Sequence, residues 1–397
     1  MVVGIIIGAS IFVQPSEINR HVPTVSGVLS VWVAAGILTL FGALVCAQLA
    51  AAFPRTGGVY VFLKETLSPA LGFLWGWAMF WSAHSGIIAA SSVILARYVA
   101  FFFPLDDAGV RAVAIAGILV FSFVNYLGVR QGSMLQTIVT VAKVSAILLL
   151  LGMAAIVASP ARHAPVGQPP PATFSEFSLA VSAALFAFGG WHMVTYTAGE
   201  TRDPVRTIPR ALLIGTITVT VLYVLLNAAY LYILPIGLVI ASPRVAADAA
   251  QAVAGPRGAS VISALVILSA TGVLNGVILA GPRTYVAMAR EGLAFGWLGS
   301  LRHAIVLQAL WSCILVATGS YRALFTRVVY TEWLFFALMA VGLMRLRRRL
   351  AFVPVTFAIA AVVVAAIQIA ADPLQAATGL LIVVLGLPVY HYWHAHH

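Results

Sequence analysis

The chain has 397 residues, of which 62% are hydrophobic and only 8% charged, and its formal net charge is +11. A soluble domain carries roughly a quarter charged residues, so this balance excludes a water-facing surface over most of the chain. The basic residues lie scattered between apolar runs, which argues against a nucleic-acid partner and suits the topogenic residues of a membrane protein.

Apolar runs long enough to cross a bilayer core as helices, about 20 residues each, recur from end to end. Hydropathy and turn signals predict about twelve spans. They lie near 1–18, 26–53, 70–102, 110–128, 132–158, 176–200, 209–234, 258–290, 304–319, 323–345, 351–371 and 374–392. The opening stretch reads as the first span, a short one, rather than a cleavable signal peptide. Within it, GIIIGASIF (Gly4 to Phe12) is interrupted by Gly8-Ala9-Ser10. Span five carries Lys143 in the middle of an apolar run, where a charge is costly and by default functional. Pro-rich VGQPPPATF then reads as an aqueous loop. Span six, LFAFGGWHMVTYTAGE, is interrupted by Gly189-Gly190. The connection from Pro235 to Arg257 has room for at most short surface helices. Asn275 in span eight suits an interhelical hydrogen bond. Glu332 falls near the start of span ten, where Arg327 or an outer gate could use it. Cys46 and Cys313 sit inside apolar runs and give neither a disulfide framework nor metal spacing; no cofactor motif is present.

An even number of spans with both termini cytoplasmic puts the larger share of Lys and Arg inside. The inner clusters are Arg345 to Arg349 and Arg202, Arg206 and Arg210, while Asp106, Asp107, Asp248 and Asp372 fall outside. This is the expected topology of a multi-pass protein of the cytoplasmic (inner) membrane, with lipid and a small substrate as its partners.

The two interruptions are five spans apart, as expected if spans one to five and six to ten are inverted repeats. Paired broken helices at matching places in two halves point to a transporter's substrate site. Unwinding a helix in hydrocarbon strands amide and carbonyl groups at several kcal/mol each, unless a polar solute pairs with them. Helix N-termini offer N–H groups to an anion, and carbonyls ending a half-helix suit a cation. An α-amino acid supplies both charges a few ångströms apart. The competing reading is that Gly4 and Gly8 mark small-residue helix packing. A membrane enzyme would need a nucleophile with its partner or paired carboxylates, and neither is visible.

These residues resemble the amino acid–polyamine–organocation transporter superfamily, and within it bacterial relatives of the L-type amino acid transporters. GIIIGASIF resembles the first-helix motif, with Gly8-Ala9-Ser10 in place of Gly-Ser-Gly. AAFPRTGGVYVFL (51–63) is similar to the loop after helix two. FAFGGWHMVTYTAGETRDPVRTIPRAL (186–212) is similar to helix six and the loop that follows. PRTYVAMAREG (282–292) resembles the end of helix eight, and EWLFFALMAVGLMRLRRR (332–349) helix ten.

The resemblance implies an all-α integral membrane fold of twelve helices. It is a five-plus-five inverted repeat of the leucine-transporter type with discontinuous helices one and six. The single permease domain would divide into 1–158, 174–349 and the peripheral helices of 350–393, the last available for homodimer contact. Gly8 would open the first break. Ala9, Ser10 and Ile11 would give N–H groups to the substrate carboxylate, and the carbonyls of Ile6, Phe186 and Gly189 would receive its ammonium. Phe186 would close over the substrate, with Gly190 at the second break and Phe188 and Trp191 lining the side-chain pocket. Lys143 stands where sodium sits in coupled relatives, and Val273 and Val277 replace hydroxyls on helix eight; both argue against sodium. Lys143, His192, Glu200 and Glu332 are the coupling and gating candidates, Glu200 through Arg55 or Arg283. The expected function is alternating-access transport of α-amino acids, neutral ones favoured by the apolar pocket, by exchange or proton coupling. A polyamine or cationic amino acid permease and a non-transporting sensor are the alternatives.

Overall fold

The computed structural model describes residues 2–55, 57–128, 133–156 and 172–396. Every regular element among them is a helix. Eleven helices are long and apolar enough to cross a bilayer. They are span two (Val25–Ala52), three (Pro69–Val99), four (Asp107–Tyr126), five (Val139–Ile156), six (Phe174–Tyr196) and seven (Pro204–Ile233), followed by eight (Val245–Arg290), nine (Leu301–Thr318), ten (Tyr321–Arg347), eleven (Phe352–Ala371) and twelve (Pro373–Trp393). Span one precedes them in pieces: a helix over Val2–Ile6, a 3₁₀ turn over Ser10–Phe12 and a helix over Gln14–His21. The chain is thus the all-α, twelve-span protein expected, with spans one and six discontinuous.

Local sequence sets the helix ends. Thr24 caps span two by accepting from the Gly27 N–H at 3.2 Å, and Asp106 caps span four through Gly109 at 2.8 Å. Thr173 and Glu176 form a reciprocal capping box at the start of span six. Pro69, Pro204 and Pro373 stand in first turns, where the missing N–H costs nothing. Span ten ends at Arg348, in the left-handed region at φ 49°, inside its arginine run.

Spans two and seven pack along their length, as do ten against eleven and three and five against eight. The breaks lie inside this bundle. Spans four, five and seven turn Phe123, Leu148, Ile214 and Val221 outward, each more than half exposed. Such faces are stable only where lipid covers them.

The connection after span seven departs from expectation. It is helical over Ile236–Ala241 and again from Val245, which runs into span eight through a kink at Gly255 (φ 63°). It is only partly a surface feature: Leu238 is 58% exposed, but Val239, Val245, Ala246 and Ala249 are fully buried. Ile236–Ala241 packs on the Gln14–His21 half of span one, and Arg20 Nη2 donates to the Ile240 carbonyl at 3.3 Å.

Candidate functional site

The break in span one is a loss of helix over Ile7 to Ala9. The Ile7 N–H still reaches Val3 O at 2.9 Å, and the chain then tightens, with Phe12 N–H to Ala9 O at 3.2 Å and Val13 N–H to Ser10 O at 3.0 Å. Among the described residues no backbone carbonyl accepts from the N–H groups of Ala9, Ser10 or Ile11. All three residues are buried. Unpaired buried N–H groups are rare and costly, and these three begin the second part of a broken helix, where an anion is favoured.

Span six breaks between Ala187 and Trp191. The Gly189 N–H turns back onto Phe186 O at 3.1 Å, and Gly190 takes φ 85°. That conformation costs a residue with a Cβ about 1–2 kcal/mol, so glycine is required there. From Trp191 to Glu200 the chain continues as a 3₁₀ helix.

One side chain ties the two breaks together. The Tyr223 hydroxyl of span seven lies 3.2 Å from Ile6 O and 3.1 Å from Ala187 O, the carbonyl ends of the first half-helices of spans one and six. It donates one hydrogen between two acceptors. Tyr223 packs with Phe188 at 5.1 Å between ring centres and with Trp32 at 5.4 Å. Sequence reasoning missed Tyr223, which lies in an apolar run like any other aromatic. The available signal was Asn227 one turn later, whose amide donates to Tyr223 O at 2.8 Å.

The remaining candidates surround these breaks. Lys143 is buried, and its Nζ donates to Gly4 O at 3.2 Å on the first half of span one. Phe186 stacks against Phe325 of span ten at 5.6 Å, and Trp191 lies 5.0 Å from Phe336. His192 is fully buried among the rings of Trp75, Trp191, Tyr196 and Phe336, with neither ring nitrogen hydrogen-bonded. Glu332 lies near the middle of span ten rather than near its start, 4% exposed, with Oε1 unpartnered and no ion pair to Arg327. Asn275 accepts from Asn125 of span four at 2.7 Å, an interhelical bond as expected.

The side chain of Glu200 lies outside the described residues. Among the described residues, Arg55 Nη2 meets Glu65 at 2.9 Å, and Arg283 donates to Leu279 O of its own helix at 2.9 Å. Glu291 after span eight holds the short helix Val59–Thr66, accepting from the Tyr60 hydroxyl at 2.5 Å and facing Lys64 Nζ at 3.5 Å. At the opposite end, Glu17 of span one meets Arg322 of span ten at 2.9 and 2.5 Å and Arg20 at 3.2 Å. Beside that cluster is a cavity of about 230 Å³, lined by Glu17, His21, Arg322, Phe325, Arg327 and Asp372 among others. Phe325 is both in its wall and against Phe186, so the cavity ends at the rings above the span-six break.

A family sequence model described as amino acid permease covers residues 1–387. The chain belongs to the amino acid permease family. Curated relatives agree across nearly the full length. The serine/threonine exchanger SteT of Bacillus subtilis (strain 168) is 27% identical over 98% of this chain and 94% of its own. The human b(0,+)-type amino acid transporter 1 is 29% identical over 87% of this chain and 74% of its own. The human cystine/glutamate transporter is 27% identical over 98% and 83%.

Proposed function

We propose that the protein is a secondary active transporter that moves α-amino acids, neutral ones in preference, across the cytoplasmic membrane by alternating access. The observation that carries this reading is the pair of buried breaks joined by Tyr223. The N–H groups of Ala9, Ser10 and Ile11 lack a backbone partner among the described residues, and the carbonyls of Ile6 and Ala187 share the Tyr223 hydroxyl. The substrate carboxylate pairs with the N–H groups and its ammonium with the carbonyls around Ile6, Phe186 and Gly189. Phe188 and Trp191 then face its side chain. That wall is aromatic, which supports neutral side chains over charged ones. Phe186 with Phe325 is the outer cover, and Lys143 steadies the first half of span one in each state.

Spans one to five (1–158) and six to ten (174–349) act as inverted repeats that rock about the breaks, with spans eleven and twelve (350–393) outside them. Both termini face the cytoplasm, which places Arg345 to Arg349 inside and the cavity beside Glu17 outside.

Purified protein in liposomes preloaded with unlabelled neutral amino acids is expected to take up the labelled forms. Folded protein that shows no uptake with any of the twenty amino acids contradicts the reading.

A further inference from the structure

Span three leaves α-geometry over Met79–His84 for a π-helical turn, in which the Ser85 hydroxyl donates to Phe80 O at 2.7 Å. Such turns re-aim side chains and recur at functional sites. This one sends Ser82 and His84 toward spans ten and eight. Ser82 Oγ lies 2.9 Å from Thr331 Oγ1, and His84 Nδ1 lies 3.1 Å from the Tyr285 hydroxyl. Gly281 makes room for Gln308 in the same group: a Cβ at 281 would sit 2.5 Å from Gln308 Oε1 and 3.1 Å from His84 Nδ1.

Next to Thr331 is Glu332, about 16 Å of helix from the start of span ten. Its Oε1 is buried without a hydrogen-bond partner, and so are the Tyr196 hydroxyl, both nitrogens of His192 and Gln308 Oε1. No Lys, Arg or His among the described residues forms an ion pair with Glu332. The neighbouring elements supply no counter-charge. Span six brings Tyr196 and His192, whose rings pack together. Span three brings Ser82, His84 and Trp75, and span two carries the buried Cys46, a neutral thiol. Arg97, later in span three, lies over the Tyr321 ring at the far end of span ten. Span eleven has no titratable side chain, Asp372 caps span twelve, and Glu176 is occupied in the capping box of span six. In the short helix Val59–Thr66, Lys64 and Glu65 are paired with Glu291 and Arg55.

An ionised carboxylate buried without a cation costs far more than a neutral acid in the same place. Charge and burial are therefore alternatives for Glu332. Outer water comes close to it. The cavity beside Glu17 follows span ten from Ser320 to Tyr330, and Arg327 in its wall takes the Ser82 hydroxyl on its carbonyl at 3.4 Å. That carbonyl is about 8 Å of helix rise from Glu332.

We propose that Glu332 is a proton-carrying site of the transport cycle, buried in a region where Tyr196 and His192 also carry unpartnered polar atoms. With the outer side open, a proton leaves hydronium in the outer water and bonds to a Glu332 carboxylate oxygen. The neutral acid stays buried while both sides are closed. With the inner side open, that O–H bond breaks and the proton passes to cytoplasmic water; no bond in the amino acid changes. This rests on the transporter reading above and assigns to span ten the coupling that a mid-span lysine on span five would otherwise carry alone.

The test compares wild type, Glu332→Gln and Glu332→Asp in liposomes, using a labelled mixture of neutral amino acids and an internal pH dye. Uptake is measured in two modes: driven by an inward proton gradient into empty vesicles, and by counterflow into preloaded vesicles without a gradient. Wild type is expected to show both modes, with internal acidification accompanying the first. Glu332→Gln is expected to lose gradient-driven uptake and acidification while keeping counterflow, and Glu332→Asp to keep both. Gradient-driven uptake by Glu332→Gln at the wild-type rate overturns the proposal. So does equal loss of both modes in Glu332→Gln protein that melts as wild type does. Wild-type counterflow without gradient-driven uptake overturns the proton site and leaves the transporter reading standing. If wild type shows neither mode, both fall.

Discussion

Polar groups hold the break in span one, and rings hold the break in span six. Lys143 and Tyr223 reach the first half of span one through Gly4 O and Ile6 O, each at 3.2 Å. Around the span-six break, Phe188 is wedged against Trp32 and Tyr223, and Trp191 against Phe336. The Tyr223 hydroxyl also meets Ala187 O, the one polar buttress the two breaks share. The difference has a mechanical meaning. A hydrogen bond can be exchanged for one to water or ligand at a net cost of about 1 kcal/mol. Separating packed rings exposes their whole area, at about 25 cal/mol per Å². Span one is therefore held by contacts that a ligand could exchange, and span six by packing that it could not.

The largest expected effect comes from removing the charged buttress. Lys143→Met keeps most of the side-chain volume and should abolish counterflow. It leaves a folded protein, altered in stability by about 1.5–3 kcal/mol, the worth of a hydrogen bond to a charged group. Wild-type transport in this variant would show that span one does not depend on Lys143. Next comes Gly190→Ala, which forces a Cβ into φ 85° at about 1–2 kcal/mol. A lowered melting temperature and slowed counterflow are expected, and an unchanged melting temperature would mean the break can relax. Tyr223→Phe removes only the shared hydroxyl and should cost about 1 kcal/mol. Because that bond joins the breaks, counterflow should slow more than the small stability loss alone would cause; loss of stability without any change in transport would reduce Tyr223 to packing. The smallest effect on stability, within about 0.5 kcal/mol, is expected for Ser10→Gly. Here the readout is the ranking of substrates in competition uptake. An unchanged ranking would place Ser10 outside the pocket.

Much of this architecture was legible in the sequence. Apolar run length alone gives the spans, because a bilayer imposes a length and forbids open backbone. The broken first and sixth helices announce themselves through Gly8 and Gly189-Gly190. What stayed hidden depends on which distant side chains meet. Tyr223 looks like a packing residue until its hydroxyl is found on two carbonyls. The Glu17–Arg322 pair joins residues 305 positions apart, a separation no local pattern reports. The connection after span seven offered room only for short surface helices, yet Ile236–Ala241 packs against span one and Val245, Ala246 and Ala249 are buried. Glu332 was placed too near the helix start, since the helix runs from Tyr321 to Arg347 and carries it near its middle.

The central claim is that the two breaks bind both charged ends of an α-amino acid. The most direct test is ligand-induced thermal stabilisation of the purified protein by a panel of neutral α-amino acids. The best binder is then compared with its own amine, which lacks the carboxylate, and its 2-hydroxy acid, which lacks the ammonium. The account predicts a dose-dependent shift for the amino acid and none for either analogue. A shift of equal size with the amine would contradict it, since the N–H groups of Ala9, Ser10 and Ile11 would then have no part in recognition.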